Sequence, residues 1–169
     1  MTDESDKLRQ DLVNSFWAYS EALRKFVSEG VNRVSLVREL IREDIAVALK
    51  VAEYLSESEH KQLFNIWVAG ASHHKYVHIY RKFILALPRD WVLERIEAIA
   101  ELYLSNGDLE EYARYLELYL LLDEELTRKL AQRALAHSDP DVIEAGQDFI
   151  EILGDKNRIK ETRERLAAD

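Results

Sequence analysis

Residues 72–82 read SHHKYVHIYRK, three histidines and three cations within eleven positions. At about 100° per residue a helix here separates two faces. Tyr76, Ile79, Tyr80, Phe83, Ile84 and Leu87 share an apolar arc with His73 at its border, and His74, Lys75, His78, Arg81 and Lys82 share the opposite arc. His74 and His78 stand four apart, the spacing at which two imidazoles grip one metal ion. Their neighbours are cations and no carboxylate lies between them, so a divalent ion would meet repulsion. The glutamate that zinc-binding helices carry on that turn is absent. The chemistry that suits this face is anion binding. His74, Lys75, His78, Arg81, Lys82 and, beyond the helix, Arg89 form a candidate site for a phosphate or an acidic segment. The competing reading is a solvated basic face.

Other constellations carry less. Glu57 and His60 form one Glu-x-x-His pair, whereas a di-iron bundle needs two such pairs and two further glutamates. Glu39 and Glu43 read more simply as surface residues one turn apart. There is no Gly-rich phosphate loop and no Gly-x-Ser-x-Gly, and no cysteine to serve as nucleophile or thiolate ligand. Neither a metal nor a cofactor is expected, and an enzyme is not the favoured reading.

A second candidate lies at 109–122. Leu109, Ala113, Leu116 and Leu120 form one apolar stripe, and Tyr112, Tyr115, Leu118, Tyr119 and Leu122 form another beside it. A helix apolar on so many sides is either central in a helical stack or presents an aromatic groove. In the second case Tyr112, Tyr115 and Tyr119 would anchor a partner, with Glu111 and its neighbours Glu110 and Glu117 favouring a basic one.

These residues must be positioned by helices. Of 169 residues, 47% are apolar and 33% charged, a composition neither disordered nor membrane-spanning. Two prolines and five glycines fall near pattern ends or interrupt one mildly, and no stretch alternates as a strand does. The polar start MTDESDKLRQ is not a secretory signal, and with no cysteine present the expected location is cytoplasmic. Net charge is −9, from 23 Lys and Arg against 32 Asp and Glu, which argues against nucleic acid as partner. The charge is uneven. Residues 72–95 hold five Lys/Arg against two Asp/Glu, and residues 96–126 hold one against nine. Such a dipole suits recognition of another protein.

Leu8, Leu12, Phe16, Tyr19, Leu23 and Phe26 recur at three- and four-residue steps, predicting a helix over 3–28 closed by Gly30. Val34, Val37, Ile41, Ile45, Ala48, Ala52 and Leu55 predict a second over 32–55, and the short link pairs the two as an antiparallel hairpin. Ser56 and Glu59 offer a capping box for a helix ending near Gly70. Ser72 caps the next, to Leu87, and Pro88 opens another that ends at 105–108. Asp108, Asp123 and Pro140 start the last three main helices, Gly154 closes them, and a charged, helical tail follows.

Residues 57–87, 88–122 and 123–154 thus form three hairpins of a little over thirty residues, the period of helical-repeat solenoids. ALAHSDPDVIEAGQDFIEILGD, 134–155, resembles a HEAT-type repeat, with an Asp-Pro-Asp turn and an apolar stripe closed by Leu-Gly-Asp. AELYLSNGDLEEYARYLELYLLLD, 100–123, is similar to a tetratricopeptide repeat through Ala100, Tyr103 and Gly107–Asp108, but has Tyr112 where that pattern places a small residue. Each resemblance covers about one repeat. It implies an armadillo- or HEAT-like α-solenoid stack. The expectation is one all-α domain over 1–169: a long helical hairpin (1–56), three repeat-like hairpins (57–154) and a charged tail (155–169). Its expected function is to bind a partner protein or peptide without chemistry. The alternatives are phosphate or nucleic-acid binding through the 72–87 face and, after that, metal binding.

Overall fold

The fold is seen in a computed structural model, which describes residues 2–28, 30–72, 75–105 and 107–168. Among these, twelve helices and no strand occur. They are α1 (Thr2–Ser28), α2 (Arg33–Glu43), α3 (Ile45–Ala52), α4 (Glu57–Gln62), α5 (Phe64–Gly70), α6 (Val77–Leu85), α7 (Arg89–Leu93), α8 (Ile96–Leu104), α9 (Leu109–Leu122), α10 (Glu124–Ala134), α11 (Pro140–Leu153) and α12 (Lys156–Ala168). The chain divides into two compact units, Met1–Glu59 and His60–Asp169.

In the first unit the expected second helix is two. The apolar period runs unbroken through Ile41, Ile45 and Ala48, but Asp44 takes an extended conformation and its carboxylate accepts from the N–H groups of Ala46 and Val47, at 3.0 and 3.2 Å. An aspartate that satisfies two orphan donors starts a new helix rather than continuing the old one. α2 packs chiefly on α3 and meets α1 through Arg33 and Phe26, rather than as one half of the expected long hairpin. Asn32 caps α2 through Ser35 N–H at 3.0 Å. At the far end of the unit Glu59 accepts from both the N–H and the hydroxyl of Ser56, at 2.8 and 2.6 Å, and from Arg33 through two nitrogens, at 2.8 and 2.9 Å. The Ser56–Glu59 pairing read from sequence is thus present, tied also to Arg33, whose guanidinium stacks over Phe26 at 5.9 Å.

The second unit is built around α9, which packs against α6, α8, α10, α11 and α12. Contacts on so many sides explain its two apolar stripes. Asp108 starts it with a complete capping box: its side chain accepts from Glu110 N–H at 2.8 Å, and Glu111 accepts from Asp108 N–H at 3.0 Å. Asp123 and Asp139 cap α10 and α11, with Pro140 in the first turn of α11. The pairs α5 with α6, α8 with α9 and α10 with α11 pack as neighbours. The α10–α11 approach depends on Gly146, where an added Cβ would lie 2.8 Å from Ala134 Cβ and 2.9 Å from Ala131 O. The core also holds Trp67, at 0% exposure, among Phe83, Tyr80 and His60.

The helix expected over 72–87 is shorter. α6 begins at Val77, preceded by Tyr76 in the left-handed region at φ 65°. Continuous helical rotation from Ser72 is therefore lost.

Candidate interaction surface

The basic face expected on α6 does not assemble. His74 lies outside the described residues. Lys75 and His78 are exposed, and Lys75 Nζ sits 4.9 Å from the Tyr76 ring. Arg81 points inward with 5% exposure. It donates to Glu117 at 2.6 Å and to the carbonyl of Arg114 at 3.1 Å. Glu117 lies 3.2 Å from Arg114 as well, so its charge is shared by two arginines. Arg89 donates to Asp123 at 2.5 Å and to the carbonyl of Leu122 at 2.9 Å. Lys82 remains exposed. Two of the four Lys/Arg cations of the expected anion site, Arg81 and Arg89, are therefore committed to carboxylates. The signal that could have shown this is the run of glutamates on 109–122, which must lie near some counter-charge. No group of three or more metal-ligating side chains occurs among the described residues. His60 of the Glu57–His60 pair stacks on Phe83 at 4.9 Å.

The aromatic groove expected on α9 is core. Tyr112, Tyr115 and Tyr119 are 2%, 0% and 3% exposed. Tyr115 donates its hydroxyl to the carbonyl of Val68 at 3.1 Å, and Tyr112 lies against His137 at 5.2 Å. Burial pushes the phenols of Tyr115 and Tyr119 well above their ordinary range. Glu111 is held by its cap, and its hydrogen bonding with Asp108 raises its carboxyl. None of these four residues offers a free anchor in this conformation. The reason is topological: periodicity shows that a helix is apolar all round, but not how many neighbours cover it.

The surface that sequence reasoning missed is α1. Its apolar period predicts a hairpin seam. Yet Leu8, Leu12, Phe16 and Trp17 keep 61%, 63%, 62% and 66% of their surface, and Val13 and Tyr19 are exposed too. Only near its end is the helix covered, with Leu23 half-buried and Phe26 buried. Leu8, Leu12 and Phe16 follow one another one turn apart, with Trp17 about 100° further round the helix, and a folded chain rarely leaves such an apolar stripe exposed without a use for it. The side opposite Leu8, Leu12 and Phe16 carries Lys7, Glu21 and Lys25, and the ion pairs of Arg24 and Lys25 with Glu21 lie within the helix. A smaller apolar groove of about 390 Å³ opens beside Trp91, lined by Lys61, Phe64, Arg95 and Ile99. There Arg95 and Lys61 already occupy positions over the half-buried indole, at 4.6 and 5.3 Å.

No protein-family model, curated protein or solved structure matches this chain. Among the described residues no helix is long and apolar enough to cross a membrane.

Proposed function

We propose that the chain is a non-enzymatic, cytoplasmic protein-interaction module whose contact surface is the exposed apolar face of α1. The observation that carries this is the run of Leu8, Leu12 and Phe16, one turn apart and each more than half exposed. Helix-on-helix docking through anchors one turn apart is the recognition mode such a stripe supports. The packed pairs α5–α6, α8–α9 and α10–α11 support reading 57–154 as three repeat-like hairpins of a solenoid. That part of the chain would be a scaffold, and its tyrosines would stabilise it rather than contact a partner.

The test is capture by the full chain against capture by a Leu12→Asp/Phe16→Asp double variant. Both positions are exposed, so the variant is expected to melt with the parent. Loss of capture at unchanged melting temperature supports the reading, and capture that survives the double substitution removes it. Phosphate and nucleic-acid binding is disfavoured by the commitment of Arg81 to Glu117 and of Arg89 to Asp123.

A further inference from the structure

We infer that the occupant of the α1 face is α1 of a second copy of this chain, laid antiparallel. This rests on the reading of α1 as an interaction surface and names its partner. Arg9, Leu12, Phe16, Tyr19, Leu23 and Phe26 follow one another at steps of three, four, three, four and three. That is the a/d alternation of a helix–helix seam. Leu23 and Phe26 are already covered within the chain, so the free seam is Arg9–Tyr19 and its midpoint is Asn14.

An antiparallel pair centred at Asn14 places a positions opposite d positions throughout. Leu12 meets Phe16 of the second copy, and Phe16 meets its Leu12. The one polar member of the seam, Arg9, meets Tyr19, whose ring face attracts a guanidinium. The antiparallel arrangement also opposes the two helix dipoles favourably. A parallel pair would instead face Arg9 with Arg9. The area is adequate. With aromatic side chains of roughly 150–250 Å², the exposed apolar residues of α1 present on the order of 600 Å² per copy. A stable interface buries ~800 Å² per partner, and the polar flanks of the helix supply the remainder. A bilayer is the poorer fit, because the acidic and basic residues of α1 nearly balance and no cationic face accompanies the apolar one.

The test uses the full chain. Sedimentation equilibrium is expected to give about twice the 19.7 kDa chain mass at micromolar concentration. Phe16→Asp should raise the dimer dissociation constant at least ~100-fold while the helical circular-dichroism signal of the folded monomer is kept and the melting temperature loses its dependence on protein concentration. The chain has no cysteine, so direction is read by disulfides: a mixture of Leu12→Cys and Phe16→Cys chains should form the mixed disulfide under oxidation. Leu12→Cys joining only to itself overturns the antiparallel register, and a dimer indifferent to Phe16→Asp overturns the site. A chain that stays monomeric at all concentrations overturns self-pairing, and its further behaviour decides the parent reading. If Leu12→Asp/Phe16→Asp then abolishes capture of a different protein, the α1 surface stands without self-pairing. If instead the substitution lowers the melting temperature, or the parent binds phosphatidylcholine–phosphatidylglycerol vesicles, both readings fall.

Discussion

Tyr115 donates its hydroxyl to the carbonyl oxygen of Val68, 3.1 Å away and 47 residues earlier in the chain. The bond joins the central helix α9 to α5 inside the core, where neither group meets water. Tyr115→Phe removes the donor and keeps the ring. It should cost about 1 kcal/mol, or roughly 2–4 °C in melting temperature for a chain of this size. Tyr115→Ala also removes the ring and should cost ~3–5 kcal/mol. Thermal melts followed by circular dichroism measure both, and two equal losses would contradict a separate contribution from the hydroxyl.

The same burial has an alkaline consequence. Tyr115 and Tyr119 have phenols raised in the folded state chiefly by desolvation. A raised folded value means that their contribution is complete below the unfolded value of about 10 and is lost as pH rises above it. Ultraviolet titration should therefore show part of the tyrosine absorbance change arriving only with unfolding. Smooth ionisation of all eight tyrosines near pH 10 in the folded protein would refute this.

On the acid side, Asp123 is held below its ordinary value first by the N–H of Leu126 and then, against some desolvation, by Arg89. In Glu59 burial pushes upward, but the hydrogen bonds from Ser56 and the charge of Arg33 outweigh it, and the net shift is downward. Depressed folded values give stability that is present above about pH 4 and lost as pH falls below it. Asp123→Asn keeps a helix-capping side chain but removes the charge. It should flatten the acid limb of stability against pH, measured by denaturant titration between neutral pH and pH 3.

Arg81 and Glu117 form a largely buried ion pair at 2.6 Å. Removing Arg81 leaves Glu117 with Arg114 alone and takes a donor from the Arg114 carbonyl. Arg81→Ala should cost ~3 kcal/mol, while Arg81→Met with Glu117→Leu should recover most of it. If Arg81→Ala leaves stability unchanged while phosphate affinity falls, the pair is not structural and the anion reading of this helix returns.

Gly146→Ala should cost about 1–3 kcal/mol as overpacking, because its methyl would meet Ala134 Cβ and the backbone of α10. Gly30→Ala, with open space around it, is the control and should be neutral within ~0.5 kcal/mol. Equal melting temperatures for the two variants would show that α10 yields at no cost.

Three helix starts were legible because a cap is local chemistry, whereas Ser72, expected to start a helix, does not start α6. Asp108, Asp123 and Pro140 sit within three residues of the groups they serve, and each acts as its spacing predicts. Asp44 was illegible because the apolar period crosses it intact, and only the carboxylate's choice of Ala46 and Val47 reveals the break. For α1 and α9 the sequence shows apolar faces of similar strength. What covers them depends on contacts distant in the chain: α9 has five helical neighbours, whereas α1 as far as Tyr19 is exposed. The candidate surface was thus exchanged for core, and core for surface, at the one level that a periodic pattern does not encode. Arg81 escaped for a related reason. The left-handed turn at Tyr76 resets the helix, so an arc counted from Ser72 does not describe side chains beyond Val77.

The three tryptophans lie at three depths: Trp67 sealed in the core, Trp91 half-covered between two cations, and Trp17 mostly exposed on α1. The molecule therefore carries its own optical ruler. Iodide in solution would reach the indole of α1 first and that of the core last. Each layer of the protein can then be followed by intrinsic emission, with no label attached to the face whose occupancy is in question.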